Sequence, residues 1–318
     1  QTDNGEGVLG NKFINDLKKY NRNYVFKIKT LSLSNRKIFI NIFGSIADRF
    51  IFPYLGVLYL WFIYIFKKKQ KVCFVNYLPL WNFLLFILLP PKTILGPITG
   101  GSNYLKKPFL NYISRKILLN FFCNLSIKII NFRHNKLLFS TDLLKNKFNK
   151  TKKNKYNYVF KDFIYSDKNL KRKFDIIFYL RSHKNKNTHL LTNLAEHLSY
   201  YFKVITIGKK IKNKKIINKG YINKKKLFDI LQRTKFSIIS AENNYSFFSL
   251  DCLSNGVHVF YNKQNSSLRN LRKNMTPLNY NKQDLILKIL IKKIKKNLKK
   301  QNIITFKNNE YFRDYFKI

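Results

Sequence analysis

Acidic residues are scarce in this chain, and their scarcity limits the functions that it can have. Its 318 residues include 62 Lys and Arg but only 15 Asp and Glu, which gives a formal net charge of +47. Such a balance predicts attraction to polyanions such as nucleic acid, an anionic membrane or phosphorylated substrates. Lys, Asn, Ile, Phe and Tyr, which A/T-rich codons encode, dominate the chain, so part of the charge reflects base composition and not function.

Several common motifs are also missing. Cys73, Cys123 and Cys252 lie far apart with no C-x-x-C pair, which argues against a disulfide framework or a zinc site and favours a reducing compartment. No G-x-G-x-x-G follows an apolar strand, which argues against a nicotinamide-dependent oxidoreductase. The first residues have neither the basic nor the apolar region of a signal peptide.

Two apolar runs dominate the first half. Phe50–Phe66 is 17 residues long, contains Pro53 and Gly56, and is followed by three lysines. The second run, Trp81–Leu89, is shorter. The first is at the lower limit for a membrane-spanning helix, and the second is too short to span. The pattern favours buried or membrane-surface helices, the first followed by a strand at Val72–Val75. The alternative is that both runs are ordinary core helices.

The second half alternates between strands and helices, which predicts a parallel, doubly wound sheet. The predicted strands are Asp175–Leu180, Val204–Ile207, Phe236–Ser240 and Val257–Tyr261, and the predicted helices are His189–Tyr201, Lys224–Arg233, Ser249–Ser254 and Asp284–Lys300. Upstream, the Lys/Asn-rich segment Leu143–Tyr156 predicts a linker. We therefore expect domains at 1–157 and 158–282, and a C-terminal amphipathic helix and tail at 283–318 that packs back on the first domain.

Charged side chains follow these predicted strands. Arg181 directly follows the strand Asp175–Leu180, and Lys186 comes five residues later, before a helix. Two cations beside a helix N-terminus suit a diphosphate, because side chains, backbone N–H groups and the helix dipole all favour the anion. Two of the few acids, Glu242 and Asp251, come after the strand Phe236–Ser240.

From Asp175 to Tyr261, this order of residues resembles the C-terminal domain of GT-B-fold glycosyltransferases, most of all the retaining family-4 group. The resemblance implies that Arg181 and Lys186 bind the diphosphate of a nucleotide-sugar donor and that Asp251 binds its ribose. It also implies donor contacts from Gly220, which opens the Gly220-Tyr221-Ile222 turn, and from Ser249. Leu180 departs from the family, which has a small residue ahead of the arginine.

The first acid of the family precedes the second by seven residues, a position that falls on Asn243. Either a one-residue bulge lets Glu242 serve as the catalytic acid, or an amide has replaced it. In the first half, Gly5 and Gly7 resemble the glycine loop near the donor phosphates, with the strand before that loop missing. A second loop at Gly96–Gly101 is expected at the same sheet edge.

The resemblance implies an α/β GT-B fold, in which two Rossmann-like, doubly wound parallel-sheet domains face an interdomain cleft. The implied function is metal-independent, retaining hexosyl transfer, with no cofactor and no metal site, since the sequence contains no Asp-x-Asp. The acceptor is expected to be a glycan or lipid-linked saccharide of cell-envelope polysaccharide or lipopolysaccharide synthesis. The enzyme is then expected in the cytoplasm, peripheral on the anionic inner face of the cytoplasmic membrane.

The alternative is a basic nucleic-acid-binding protein with an α/β fold. No zinc-finger spacing, RNA-recognition motif or helix-turn-helix is evident, and the lysines are spread along the whole chain. A dedicated nucleic-acid module would concentrate them on one face or stripe. A specific nucleic-acid partner is therefore not expected.

Overall fold

The protein forms two compact units. The computed structural model describes residues 9, 12–13, 15, 38, 40–44, 51–67, 72–75, 80–98, 117–134, 136–140, 144–148, 155–158, 170–181, 188–240, 246–264 and 274–296. Described residues up to Tyr158 belong to the first unit, and those from Leu170 to Lys296 belong to the second. Both contain a parallel sheet with helices between the strands, so the predicted α/β class with two parallel sheets is confirmed.

The first unit has a four-stranded sheet in the order β1-β2-β3-β4, with every pair parallel. Its elements, in chain order, are α1 Phe52–Phe66, β1 Cys73–Val75, α2 Phe83–Leu88, β2 Ile94–Ile98, α3 Leu119–Arg133, β3 Lys136–Phe139, α4 Lys145–Phe148 and β4 Lys155–Tyr158. Right-handed crossovers that always advance in one direction place their helices on the same face of a sheet. Helices α2 and α3 therefore form one layer.

Helix α1 joins this layer through polar and apolar contacts. The Asn82 side chain caps α2 by accepting from the Leu85 backbone N–H, and it also accepts a 2.9 Å hydrogen bond from the Tyr54 hydroxyl. Val57 is 3% exposed and packs in the same core cluster as Leu85 and Ile130. Helix α1 is thus anchored on the core. None of the helices in the described residues is both long and apolar enough to cross a membrane.

Two sequence predictions for the first unit need correction. Gly96 and Pro97, expected in a loop, lie inside β2, where the register with β3 shifts between Leu95 and Ile98. An irregular register accommodates a proline that cannot donate to the ladder; residues 99–101 lie outside the described residues. The predicted linker Leu143–Tyr156 contains α4 and the first half of β4. Its many lysines obscured two buried residues, Leu144 and Phe148.

The second unit has a six-stranded sheet in the order β10-β9-β8-β5-β6-β7, again parallel throughout. Its elements are β5 Phe174–Leu180, α5 Thr188–Leu198, β6 Val204–Gly208, β7 Ile217–Asn218, α6 Lys224–Leu231, β8 Thr234–Ile238, α7 Phe247–Ser254, β9 His258–Asn262, β10 Met275–Leu278 and α8 Gln283–Lys295. Four predicted strands and four predicted helices are found here, with boundaries shifted by up to five residues. Strands β7 and β10 were not predicted.

Helices cover both faces of this sheet. Alternate residues of β5 point to opposite sides: Ile176 and Phe178 belong to the core cluster that α5 and α8 cover, whereas Ile177 belongs to the cluster that α6 and α7 cover. Helix α8 buries Ile286, Leu290 and Ile294 in the α5 cluster. Residues 283–295 of the predicted C-terminal helix therefore pack within the second unit.

The amino-terminal ends of the central strands are joined by one carboxylate. Asp175, at the start of β5, forms a 2.9 Å ion pair with Lys235 of β8 and accepts a 3.0 Å hydrogen bond from the Lys203 backbone N–H ahead of β6. One of the chain's 15 acids thus links three neighbouring strands.

Each unit also buries one histidine away from water. His134 follows α3, with Nε2 3.4 Å from the Phe86 carbonyl oxygen, and burial lowers its pKa to about 4. His258 lies on β9, with Nε2 2.9 Å from the Thr276 hydroxyl; burial and, to a lesser degree, the nearby Lys293 ammonium lower its pKa to about 4. Both side chains are neutral in the folded protein at pH 7.

We predict that acid destabilises the second unit through His258. The unfolded chain takes up a proton at this residue near pH 6.5, the folded chain only near pH 4. The free energy of unfolding should therefore fall as the pH decreases from about 6.5 to about 4, by up to about 1.4 kcal/mol per pH unit. Urea unfolding measured across this pH range should show that the free energy of unfolding depends less steeply on pH in His258→Gln than in the unchanged protein. The matched change His189→Gln, at an exposed residue of α5, should leave the slope unchanged, and an equal effect of both variants would contradict the prediction.

Candidate functional site

The direction of chain crossover in the second sheet reverses beside β5. From β5 the chain passes through α5 to β6 on one side, whereas β8 pairs with β5 on the other side. In an open parallel sheet, ligands bind outside the carboxyl ends of the strands at such a switch point. Helices α5, α6 and α7 follow strands of this sheet, so their N-termini, which carry partial positive charge, lie at the same edge.

Arg181 is the first residue after β5 and is exposed at this edge. Its guanidinium carbon lies 6.0 Å from the centroid of the Tyr179 ring, whose own centroid is 5.2 Å from that of Phe248 in α7. The Thr188 hydroxyl, at the start of α5, donates a hydrogen bond to the Arg181 carbonyl oxygen. The Arg181 backbone is thus tied to the start of α5, and its side chain is exposed near Tyr179, which packs against α7.

The end of β6 lies beside Arg181. Gly208 pairs in register with Leu180, and the Lys209 backbone N–H donates a 2.9 Å hydrogen bond to the Leu180 carbonyl oxygen. Lys209 therefore follows β6 where Arg181 follows β5, about 4.8 Å away across the sheet. Lys209 is identified as part of this edge by the strand register, because in the sequence it is one lysine among many.

Two glycines fix the backbone on this side of the edge. The Gly208 backbone N–H donates a 2.8 Å hydrogen bond to the Gly220 carbonyl oxygen, and both residues have positive φ, +88° and +63°. A Cβ atom at Gly208 would lie 2.0 Å from the Leu180 carbonyl oxygen, whereas one at Gly220 would meet only the end of the Lys210 side chain at 3.4 Å. Gly208 is thus required for the close approach of β5 and β6, and Gly220 mainly for its backbone conformation.

Helix α7 carries the predicted Ser249 and Asp251. Ser246 caps the helix by accepting from the Ser249 backbone N–H at 3.1 Å, and the two hydroxyls lie 2.7 Å apart. Ser249 is fully buried, and Asp251 is 4% exposed, in the second turn of the helix. The structure thus places Ser249 within the helix cap. The Asp251 carboxylate lies well inside the unit, where its charge needs donors close by.

Tyr280 holds the exit of β8 in place. Its hydroxyl, fully buried, donates to the Ile239 carbonyl oxygen at 2.6 Å, and the Phe260 carbonyl oxygen lies 3.4 Å away. Burial raises the pKa of Tyr280 above its ordinary value, so the hydroxyl remains a donor. Ile239 lies three residues ahead of Glu242. Sequence reasoning missed this tyrosine because it lies about 40 residues from its partner.

Four residues of the predicted site lie in the second unit. Arg181, Gly220, Ser249 and Asp251 all belong to the second unit, on elements that meet or begin at the carboxyl edge of one sheet. The predicted catalytic Glu242, its alternative Asn243, the second cation Lys186, and Gly5 and Gly7 of the glycine loop lie outside the described residues.

The chemistry available at this edge is that of an anion site. It offers the exposed Arg181, the neighbouring Lys209 and three helix N-termini, and Tyr221, which is 76% exposed, supplies an aromatic surface just after Gly220. Among the described residues, no cluster of three or more His, Cys, Asp or Glu is arranged to hold a metal ion.

Comparisons with known proteins give matches in structure only. No protein-family model matches the chain, and no curated protein does. HepE of Anabaena, solved with UDP and glucose, superposes with a TM-score of 0.49 at 11% identity, covering 93% of this chain and 88% of HepE. TarM of S. aureus gives 0.43 at 13% identity (64% and 44%), and the pneumococcal O-GlcNAc transferase GtfA, solved with UDP and GlcNAc, gives 0.40 at 13% (67% and 46%). The match thus spans less than half of TarM or GtfA.

We predict that the two glycines differ in their tolerance of a side chain. Gly208→Ala forces a carbon atom against the Leu180 carbonyl oxygen, so the β5–β6 edge must shift, at a cost of several kcal/mol. Gly220→Ala meets no fixed atom and carries mainly the strain of positive φ, about 1 to 2 kcal/mol. Thermal unfolding of the two variants should show a much larger loss for Gly208→Ala. Equal losses would show that β5 and β6 do not approach this closely.

Proposed function

We propose that the protein is a glycosyltransferase that binds a nucleotide-diphosphate sugar at the carboxyl edge of the second sheet. The observation that carries this proposal is the placement of Arg181, which is exposed at the switch point and follows β5 at the sheet edge where α5 and α7 begin. An exposed arginine beside helix N-termini matches the needs of a diphosphate, which carries negative charge and accepts hydrogen bonds. The resemblance of residues Asp175 to Tyr261 to family-4 enzymes supports the same assignment.

The proposed mechanism needs no metal ion. As the bond from the sugar to the diphosphate breaks, negative charge develops on the leaving group, and preorganised cations and N–H groups stabilise it. Arg181 and Lys186 supply the cations, and the N-terminus of α5 supplies backbone donors. Transfer with retention of configuration, as in the resembled family, is part of this proposal.

The two acids have different proposed roles. Asp251, in α7, binds the ribose hydroxyls of the donor, as the resemblance to family-4 enzymes implies, since a carboxylate can accept hydrogen bonds from two hydroxyls. Glu242, after β8, acts near the transferred sugar. The Tyr280 hydroxyl supports this role indirectly, because it holds the backbone of β8 three residues earlier.

The proposed acceptor is a glycan or lipid-linked saccharide in cell-envelope polysaccharide or lipopolysaccharide synthesis. The positive charge of the chain supports an acceptor at an anionic membrane. The proposed location is the inner face of the cytoplasmic membrane, to which the protein binds peripherally.

The net charge of +47 also favours a second candidate, a nucleic-acid-binding protein. The two candidates differ in their ligands. Tight binding to duplex DNA at physiological salt, together with no response to any nucleotide sugar, would favour the second candidate.

We predict that a nucleotide sugar stabilises the protein and that Arg181 carries much of this effect. Thermal unfolding with UDP-, GDP- and ADP-glucose should show a rise in Tm with one of them, because a ligand that binds only the native state shifts unfolding. Arg181→Ala should raise the donor Kd at least about tenfold, since a charge-assisted contact contributes roughly 1.5 to 3 kcal/mol.

The control for this experiment is Lys288→Ala, which removes one exposed positive charge from the middle of α8. It should keep the donor Kd of the unchanged protein. Equal weakening by both substitutions would show that general charge attraction, and not a site at Arg181, holds the nucleotide.

We predict that the two acids affect different kinetic parameters. Asp251→Asn should mainly raise the KM for the donor, whereas Glu242→Gln should mainly lower kcat, because an interaction made only in the transition state changes turnover. Steady-state kinetics with the donor identified above measures both. Unchanged kinetics for Glu242→Gln would indicate that Asn243 occupies the position of the first acid.

A further inference from the structure

A stripe of large apolar side chains runs along the outer side of α1. Ile51, Leu55, Leu58, Phe62 and Ile65 are 40% to 66% exposed, and they recur every three or four residues, the spacing of one helix face. The opposite side of the same helix is packed: Val57 is 3% exposed in the core of the first unit. The residues of the stripe therefore do not contribute to the core of the first unit.

The neighbouring helices continue this apolar surface. The exposed apolar residues of α2 are Leu84, Ile87 and Leu88. Those at the start of α3 and just before it are Ile117, Leu118 and Phe121. Helices α1 and α2 are joined by the 2.5 Å hydrogen bond from Trp61 Nε1 to the Leu88 carbonyl oxygen, and α2 and α3 by the stacked rings of Phe83 and Phe122. We call this set of exposed residues on α1, α2 and α3 the outer face.

An exposed apolar surface of this extent marks an interaction site, because monomeric soluble proteins rarely expose large contiguous patches. The charge around the outer face identifies the partner. No Asp or Glu occurs anywhere between Asp48 and Asp142, whereas that stretch contains 13 Lys and Arg. Of these, Lys67 ends α1 and Lys128 lies exposed on α3.

We propose that the outer face inserts into the headgroup region of an anionic lipid bilayer, with α1 lying in the plane of the membrane. An apolar surface in a stretch of sequence that is rich in Lys and Arg and free of acids fits such a bilayer in both its apolar and its charged layer. A second copy of the chain fits less well, because it would bring two acid-free cationic surfaces together. A nucleic acid would be bound through its phosphates and would leave the leucine and isoleucine side chains unused.

The dimensions of α1 agree with an in-plane position. Its 15 residues span about 22 Å, less than the roughly 30 Å of a bilayer core. Of the two tryptophans of the chain, Trp61 lies in α1 and Trp81 lies two residues before α2, and indole side chains favour the membrane–water interface. The inference deepens the location included in the proposed function, but it does not depend on which donor the second unit binds.

The tryptophans allow a direct test with the unmodified chain. The protein is mixed with vesicles of phosphatidylcholine and phosphatidylglycerol, and binding is measured by co-sedimentation. We expect binding, a blue shift of tryptophan emission, and quenching of that emission when the phosphatidylcholine has brominated acyl chains. Quenching by brominated chains requires that the indole rings reach the lipid tails, which lysine-driven adsorption to the headgroups does not achieve.

Two charge-matched variants test the outer face itself. Leu58→Asp changes a residue of the stripe that is 66% exposed, and Leu285→Asp changes a leucine of α8 that is 46% exposed in the second unit. Leu58→Asp should weaken vesicle binding at least about tenfold and abolish quenching, since it replaces a large apolar side chain of the stripe with a negative charge. Leu285→Asp should bind as the unmodified chain does. Circular dichroism and thermal unfolding verify that both variants fold.

Three results would overturn the proposal. One is an unmodified chain that stays in the supernatant with anionic vesicles. Another is vesicle binding without quenching by brominated tails, which indicates adsorption through lysines alone. The third is a concentration-dependent dimer, seen by sedimentation velocity without lipid, that Leu58→Asp dissociates, since this indicates that a second copy covers the outer face. None of these results would change the effect of a nucleotide sugar on Tm. The proposed donor site is therefore tested independently of the proposed membrane binding.

Discussion

The second unit depends on one constraint: strand β5 must pair with a parallel strand on each side. Asp175 links the start of β5 to β8 and to the residue ahead of β6, and the Leu180–Gly208 contact closes the other end so tightly that no side chain fits at Gly208. Because β5 is held at both ends, Arg181 leaves the sheet at a defined point. The candidate site is therefore a consequence of strand pairing, and the polar residues around it are placed by backbone contacts.

The sequence predicted the elements that carry their own signal. Strand β5 is a run of apolar residues, and α5 and α8 repeat leucine and isoleucine at helical spacing, so periodicity alone located them. Strands β7 and β10 were missed because β7 has two residues, and β10 contains Pro277 and only two buried side chains. Both are edge strands, whose existence depends on the neighbouring strand more than on their own residues.

The candidate site was predictable only where residue type and spacing are distinctive. Arg181 stands out because it ends an apolar strand, whereas Lys209 is one of many lysines and is identified only by its register next to Leu180. Tyr280 supports the exit of β8 through contacts that span 41 and 20 residues. The high lysine content that makes Lys209 inconspicuous also led to the prediction of a linker at Leu143–Tyr156, since lysines flank the buried Leu144 and Phe148 in the sequence.

The helices of the two units differ in the residues that they expose. In the second unit, α8 buries Ile286 and Leu290 and exposes Lys288, with Leu285 as its exposed large apolar residue. In the first unit, α1 buries Val57 and still exposes Leu58 and Phe62, so its apolar content exceeds what the four-stranded sheet can cover. Composition alone does not explain this difference, because an A/T-rich gene supplies Lys as readily as Ile or Phe to any exposed position. Among the described residues, most of the exposed large apolar side chains lie between Asp48 and Asp142, the stretch without acids. The proposed partner of this surface is an anionic bilayer, and its binding would bring the proposed glycosyl transfer at the second unit close to the proposed lipid-linked acceptor.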